Sequence, residues 1–342
     1  MRLRSLSALL VLFVALVSSA SAQSESYALW KRVKVGGDGG WDYLEVDPDA
    51  RRFYVTRSTR VMVFDADTLA QVGEIPDTQG VHGVALAPDL GRGFTSNGRA
   101  NTVTAFDLKS LQRIGDWKVT GENPDAIAYD APTHRVFTFN GRSSNATALD
   151  ARSGAVVATI PLGGRPEFAV SDGAGRVYVN IEDKSEVAAI DPAKSTVVAR
   201  WPLAPCEEPS GMAIDRKAKI LFIGCSNRLL GIVDATTGKV VGTLPIGVGV
   251  DANKFDPGTG LAFSSNGEGT MTVIGKNVRG DYAVLQNVTT QRGARTMAID
   301  EKTHRAFLVT AEFGPPPSPT ADQPHPRPSI VPDSFTILVF AR

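Results

Sequence analysis

The chain has 342 residues, of which 42% are hydrophobic and 21% charged, and it carries 36 basic and 36 acidic side chains. This balance argues against a nucleic-acid-binding protein that relies on a strongly basic surface. The hydrophobic content argues against disorder. Two cysteines exclude a four-cysteine zinc site and a dense disulfide framework. The 33 glycines and 21 prolines indicate many turns.

The first segment, residues 1–22, has the pattern of a signal peptide. Two arginines precede a mostly apolar stretch from Leu6 to Val17, and Ala20-Ser21-Ala22 forms a small-x-small cleavage site. The apolar stretch is too short to cross a bilayer. We therefore expect cleavage before Gln23, an exported protein that is periplasmic or secreted, and a mature chain without a membrane span.

One hairpin pattern recurs along the chain: an apolar strand, a short turn with a basic residue, and a second apolar strand. Its anchor positions lie 40 to 45 residues apart, at Arg52, Arg92, Arg135, Arg176, Lys219, Gly260 and Arg305. A second anchor recurs every 41 to 43 residues, at Asp65, Asp107, Asp150, Asp191 and Asp234. Aspartate at such a place caps a turn with its own side chain, so these carboxyls are interpreted as structural.

Each repeat has the turn spacing of four short strands and shows no helical period. Seven repeats of this length predict an all-β, seven-bladed β-propeller with four antiparallel strands in each blade, spanning residues 23–342 as one domain. The last repeat ends with its third strand, in Ser334–Arg342. The segment Trp30–Gly37 resembles the fourth strand of another repeat, Val157–Gly164. We therefore expect the N-terminal strand to complete the last blade and close the ring.

Several short motifs resemble the YVTN-repeat, YncE-like family of exported seven-bladed propellers. Tyr54-Val55-Thr56 and Val177–Asn180 are similar to the namesake motif, although Arg57 stands where that motif has asparagine, and Leu244–Gly249 is similar to the family's strand end. The resemblance implies export and a binding or scaffold role. Propellers of similar architecture include enzymes that act on lactones, which keeps an enzymatic function open.

The links between repeats deliver one residue per blade to one mouth of the central channel. Alignment of the copies gives the ring Asp42, His82, Asp125, Glu167, Ser210, Asp251 and Arg295. Converging carboxyls raise one another's pKa and attract cations or polar ligands, whereas a channel mouth is also a place where polar side chains are merely solvated. Lys254, next to Asn253, interrupts an apolar inner strand and needs a partner or the channel. Glu45 occupies the equivalent position of the first blade.

Loops on the same face carry a second candidate set. Their arginines, which would form a basic rim, are Arg57, Arg60, Arg99, Arg142 and Arg228. The last blade has a long proline-rich insertion, Gly314–Pro332, which would act as a lid and bring His325 and Arg327 near the ring. Cys206 and Cys225 lie at neighbouring ends of one hairpin, so we expect them to form a disulfide.

These patterns favour a binding or scaffold module that acts through the channel-mouth face, on an unidentified small molecule or protein partner. The alternative is a lactonase-like hydrolase or isomerase with His82 as base and Arg295 holding an oxyanion. A divalent-cation site at Asp42, Asp125 and Asp251 is a further hypothesis, limited by the width of the mouth. A fourth hypothesis is single-strand nucleic-acid binding by the arginine rim with Trp41, which the neutral charge disfavours. No metal ligand is assigned, no cofactor is expected, and we expect a monomer.

Overall fold

The computed structural model describes residues 26–318, 326 and 328–342, and the predicted signal peptide lies outside them. The described chain is all-β, with 28 strands arranged in seven four-stranded sheets. Within these residues, helix is limited to three short 3-10 segments, Pro88–Leu90, Ala131–Thr133 and Glu182–Lys184. The described part of the chain also contains no helix long and apolar enough to cross a membrane.

The first four blades follow the chain from the inner strand to the outer strand. Blade 1 has β2 (Leu44–Asp47), β3 (Arg52–Arg57), β4 (Arg60–Asp65) and β5 (Gln71–Ile75). Blade 2 has β6 (Val81–Ala87), β7 (Arg92–Asn97), β8 (Thr102–Asp107) and β9 (Arg113–Lys118). Blade 3 has β10 (Pro124–Asp130), β11 (Arg135–Asn140), β12 (Asn145–Asp150) and β13 (Val156–Pro161). Blade 4 has β14 (Pro166–Ser171), β15 (Val177–Ile181), β16 (Glu186–Asp191) and β17 (Thr196–Pro202).

The other three blades complete the ring. Blade 5 has β18 (Pro209–Asp215), β19 (Ile220–Cys225), β20 (Leu229–Asp234) and β21 (Val240–Pro245). Blade 6 has β22 (Val250–Asp256), β23 (Leu261–Asn266), β24 (Thr270–Lys276) and β25 (Tyr282–Thr289). Blade 7 has β26 (Met297–Asp300), β27 (Arg305–Thr310) and β28 (Thr336–Ala341), and β1 (Ala28–Lys34) is its outer strand.

The ring closes between the last blade and the start of the chain, as the sequence predicts. β1 pairs antiparallel with β28, with Val33 opposite Ile337. The inner strands contact one another in order around the channel, and β26 of blade 7 contacts β2 of blade 1. The N-terminal strand therefore covers an edge of β28 that would otherwise be free to pair with another chain.

Apolar side chains fill the spaces between blades. At the closing interface, Phe53 of blade 1 and Phe307 of blade 7 are fully buried, and their ring centroids lie 4.9 Å apart. Burying one such side chain stabilises the fold by roughly 1.5–3 kcal/mol. Asn253 lies in another interface, where its side chain accepts from Gly224 N at 3.0 Å and donates to Phe263 O at 3.2 Å. Asn253 therefore joins blade 6 to blade 5 by a side-chain hydrogen bond.

The repeated aspartates cap turns, as their spacing predicts. The Asp65 carboxylate accepts hydrogen bonds from the backbone of Asp67 at 3.1 Å and of Thr68 at 2.7 Å. Such bonds from turn backbone and hydroxyl groups hold the pKa of each carboxyl below its ordinary value at Asp65, Asp107, Asp150, Asp191 and Asp234. These five carboxyls belong to the frame of the blades.

The predicted disulfide is confirmed. Cys206 and Cys225 are bonded, with Cα atoms 5.7 Å apart and a sequence separation of 19. Both side chains are fully buried in blade 5. The bond joins the link before β18 to the end of β19, and it therefore fixes the blade at the channel-mouth face.

Candidate functional site at the channel mouth

The links between blades lie at one end of the channel, here called the mouth face. Hydroxyl groups from neighbouring blades hold them in position. Ser96 Oγ donates to the carbonyl of Asp125 at 2.5 Å, and Ser265 Oγ donates to the carbonyl of Arg295 at 2.5 Å. Each of these contacts reaches the next blade, so the ring residues are positioned by two blades at once.

His82 lies between two carboxylates at the mouth. Its Nδ1 is 2.6 Å from Asp42 Oδ2 and 3.5 Å from Asp125 Oδ1. Burial by itself lowers the pKa of His82, but the hydrogen bond with Asp42 and the charges of Asp125 and Asp42 outweigh it and raise the pKa to about 9. The imidazole is therefore protonated at neutral pH.

Two other carboxyl groups hold protons more tightly than usual. Burial raises the pKa of Asp125 to about 7. The charge of His82 lowers this pKa, and the charges of Asp42 and Asp251 raise it. Burial and then the charges of Asp125 and Asp251 raise the pKa of Glu167 to about 9. Burial is the largest cause of both shifts, and the charges of the neighbouring ring carboxyls add to it.

Ser210, Asp251 and Arg295 occupy the opposite side of the ring. Ser210 Oγ lies 3.2 Å from Asp251 Oδ1, and Arg295 Nε lies 3.3 Å from Asp251 Oδ2. The charge of Asp251 is the largest influence on Arg295 and raises its pKa. All seven ring positions thus face one mouth, and we call Asp42, Asp125, Glu167 and Asp251 its acidic centre.

Tyr43 forms the floor of the mouth, and sequence reasoning missed it. It precedes the inner strand of blade 1, yet its hydroxyl lies 3.4 Å from Glu167 Oε1 and its ring packs edge-on against Phe168 of blade 4 at 5.0 Å. Burial and the charge of Glu167 raise the pKa of Tyr43 well above its ordinary value, so the phenol stays protonated. Its position directly after Asp42 was the available signal, but an aromatic residue in a strand is usually core.

Lys254 lies in the central channel and has an ion-pair partner there. Its Nζ lies 3.3 Å from Glu45 Oε2, across the channel from blade 6 to blade 1. It also lies 5.8 Å from the Phe168 ring centroid. A cavity of about 300 Å³ is lined by Glu45, Lys254, Phe168 and Tyr43 among others. This ion pair belongs to the channel on the inner side of the Tyr43 ring and is separate from the acidic centre.

The basic rim predicted from the loops needs one correction, at Arg57. Arg57 is fully buried, where its guanidinium stacks 3.7 Å from the Phe335 ring centroid and donates to Gly37 O and Asp38 O. Arg60 Nε lies 3.7 Å from Glu74 Oε2. The fully buried position of Arg57 results from closure of blade 7 against blade 1, which places Phe335 over this loop.

Two further cavities open at the mouth face. One of about 450 Å³ is lined by Trp41, Asp42, His82, Arg99 and Arg142 among others. The other has a volume of about 320 Å³. Its lining includes Asp251, Arg292, Arg295, Phe313 and Pro328. Ligand sites of small molecules commonly have volumes in this range.

The long insertion of blade 7 begins beside this mouth. Phe313 forms an isolated antiparallel bridge with Ile330, and its ring centroid lies 6.2 Å from that of Trp41. The predicted lid residues His325 and Arg327 lie outside the described residues, and their role stays a prediction.

The hypothesised cation ligands are only partly brought together. One ligand atom each from Asp42, His82 and Asp125 lies within 4.8 Å of the others. Asp251 is not part of this group and instead contacts Ser210 and Arg295. The imidazolium of His82 already supplies a positive charge between the carboxylates of Asp42 and Asp125.

Comparison with known proteins supports the fold alone. No family profile and no curated protein sequence matches the chain. The solved structure titled "Structure of U3-55K" is similar, with a TM-score of 0.73 and 9% identity, over 91% of this chain and 98% of that chain. Fold and topology define a seven-bladed β-propeller. The YVTN-repeat resemblance stays a prediction.

Proposed function

We propose that this propeller is a binding module whose channel mouth receives a small molecule carrying an ammonium or guanidinium group. The observation that carries the proposal is the acidic centre. Four carboxyls face a mouth in which only His82 and Arg295 are cationic ring members, and the pKa values of Asp125 and Glu167 are raised to about 7 and about 9. A ligand cation would supply the positive charge that protons now supply.

An organic cation suits this mouth better than a metal ion. A metal ion needs several oxygens at about 2.3–2.6 Å from one point. Here the closest group of three includes His82, whose Nδ1 is engaged with Asp42 at 2.6 Å. An ammonium group donates up to three hydrogen bonds to acceptors that need not converge so tightly. The Tyr43 hydroxyl, 3.4 Å from Glu167 Oε1, adds a polar group beside the acidic centre.

Binding is favoured over the hydrolase or isomerase alternative by the state of His82. A general base must be unprotonated at the working pH. The pKa of about 9 holds the imidazole in its protonated form at neutral pH. Arg295, the other group required by that alternative, is engaged by Asp251 at 3.3 Å.

The test is calorimetric titration of the protein at pH 8 with propylamine, pentylamine and agmatine, and separately with Ca²⁺. Asp125→Asn removes one carboxylate from the acidic centre. Asp281→Asn removes one from an exposed turn of blade 6 and serves as the matched control. We expect at least one amine to bind, and its affinity to fall about tenfold in Asp125→Asn, which is about 1.4 kcal/mol.

Three results would overturn this function. The first is that none of the amines binds. The second is an equal affinity loss in both variants, because a general charge effect would then explain it. The third is tight binding of Ca²⁺ with no binding of amines, because the site would then be a metal site.

We further propose that the protein is exported as a monomer. The buried Cys206–Cys225 disulfide supports an oxidising compartment. The signal-peptide pattern of residues 1–22 supports export. Mass spectrometry of the protein expressed with its first segment should give a chain that begins at Gln23, and light scattering should give one chain per particle. An uncleaved, reduced chain retained in the cytoplasm would contradict export.

A further inference from the structure

The 450 Å³ cavity at the mouth face, which we call the arginine cavity, has a chemistry opposite to that of the acidic centre. Its lining includes Trp41, Asp42, His82, Asn123, Arg99 and Arg142. With His82 protonated, it holds three cationic side chains and one carboxylate. A cavity of this charge suits an anionic group.

The two arginines occupy equivalent places in consecutive blades. Each ends an Asn-Gly-Arg triplet, at Asn97-Gly98-Arg99 in blade 2 and at Asn140-Gly141-Arg142 in blade 3. Backbone bonds hold both loops, since Gly98 N donates to Gly80 O at 2.8 Å and Gly141 N donates to Asn123 O at 3.0 Å. The arginines therefore project from anchored loops on the rim of one cavity.

Gly98 is required for this arrangement. A Cβ at this position would lie 2.6 Å from His82 Nε2 and 2.7 Å from Asn123 Oδ1. Only glycine lets the loop approach the imidazole this closely. His82 thus has Nδ1 toward Asp42 and Asp125, and Nε2 toward the loop that carries Arg99. Its ring forms a wall shared by the acidic centre and the arginine cavity.

Neither rim guanidinium is already neutralised. Across the part of the chain that the structure describes, the side chains of Arg99 and Arg142 have no hydrogen-bond or ion-pair partner. Two arginines elsewhere on the propeller, in contrast, have partners: Arg200 pairs with Glu186 at 2.5 Å, and Arg51 pairs with Asp67 at 2.7 Å. Two unpaired guanidinium groups that line one cavity can hold a carboxylate by charge-assisted hydrogen bonds.

We propose that the ligand is a zwitterion of the amino-acid class, with its carboxylate between Arg99 and Arg142 and its ammonium group in the acidic centre. This inference rests on the proposed function and adds the second charge of the ligand. Asn123 and the protonated His82 supply further polar contacts on the path between the two charges.

The opposite cavity is a weaker place for the carboxylate. Its two arginines are already engaged: Arg295 with Asp251 at 3.3 Å, and Arg292 over the Phe313 ring at 5.8 Å. Arg292 nevertheless makes a matched control, because it lines a cavity of the same face and carries the same charge.

The experiment compares each amino acid with the amine that lacks only its carboxylate. Calorimetric titration uses 6-aminohexanoate against pentylamine and 4-aminobutyrate against propylamine, on the wild type, on Arg99→Gln/Arg142→Gln and on Arg292→Gln. In the wild type we expect the carboxylate to increase affinity about tenfold for at least one pair. The double variant should lose this gain while binding the amine as before, and Arg292→Gln should keep it.

The outcomes separate this inference from the proposed function. If the amines bind and the carboxylate adds no affinity, the zwitterion inference is wrong and the cation-binding function stands. The inference is also wrong if the gain persists in the double variant or disappears in Arg292→Gln. If neither amines nor amino acids bind, both fail.

Discussion

Replacing Asp42 with asparagine should release the proton of His82 at a lower pH. The short contact between His82 Nδ1 and Asp42 Oδ2, at 2.6 Å, opposes burial and helps to hold the pKa of His82 at about 9. The substitution keeps the shape of the side chain and removes its charge. Asp125, at 3.5 Å, remains as a second but weaker influence.

The size of the effect follows from the bond that is weakened. A hydrogen bond to a charged group contributes roughly 1.5–3 kcal/mol, and one pKa unit corresponds to about 1.4 kcal/mol. We therefore expect the pKa of His82 to fall by about one to two units. Because the folded-state pKa lies above the unfolded value, His82 contributes stability that is complete below about pH 6.5 and is lost as pH rises through its folded-state pKa. In Asp42→Asn this loss should begin at a lower pH.

The assay is a pH titration of the imidazole signals by long-range ¹H–¹⁵N NMR. The chain has four histidines, so the spectrum is sparse, and His82→Ala identifies the signal. Asp281→Asn controls for the loss of one negative charge. A wild-type pKa near 6.5, or a shift in Asp42→Asn no larger than that in the control, would refute the electrostatic account of the mouth.

Three further predictions concern stability. The raised pKa of Glu167 makes the folded state retain a proton that the unfolded chain releases, so the unfolding free energy falls as pH rises from 4.5 to 9. Glu167→Gln should make this fall smaller. Melting temperatures that change equally with pH in the variant and the wild type would argue against it. Serine at both Cys206 and Cys225 should cost about 3 kcal/mol in urea unfolding, since the bond closes a loop across 19 residues, and a cost below about 1 kcal/mol would contradict the loop argument. Phe307→Ala should cost roughly 3–5 kcal/mol, because the ring is fully buried against Phe53 where the propeller closes; a near-neutral result would mean that this interface does not stabilise the ring.

The architecture was predictable because it is periodic. The spacing of the turn anchors indicates seven blades, and the missing fourth strand of the last repeat indicates that β1 completes it. Alignment of the repeats also predicts which residues face the mouth, because an inner strand in each copy begins at the same place. These inferences need only the residue pattern within one repeat and the number of repeats.

Contacts across the ring were not predictable in this way. Tyr43 reads as a core aromatic, and its reach to Glu167 depends on the width of the channel. Arg57 reads as a rim residue, but Phe335 covers it once blade 7 closes on blade 1. Which carboxyl retains a proton likewise depends on distances between blades that no single repeat contains.

The most direct test of the central claim is the pH dependence of amine binding. Calorimetry measures the affinity for pentylamine at several pH values between 6 and 8. The amine stays charged over this range, while Asp125, with a pKa of about 7, loses its proton. The account predicts that affinity rises about tenfold, that protons are released on binding, and that Asp125→Asn weakens both effects and leaves the part that Glu167 supplies. An affinity that stays constant or falls as pH rises would contradict the claim that the mouth binds a cation in place of its protons.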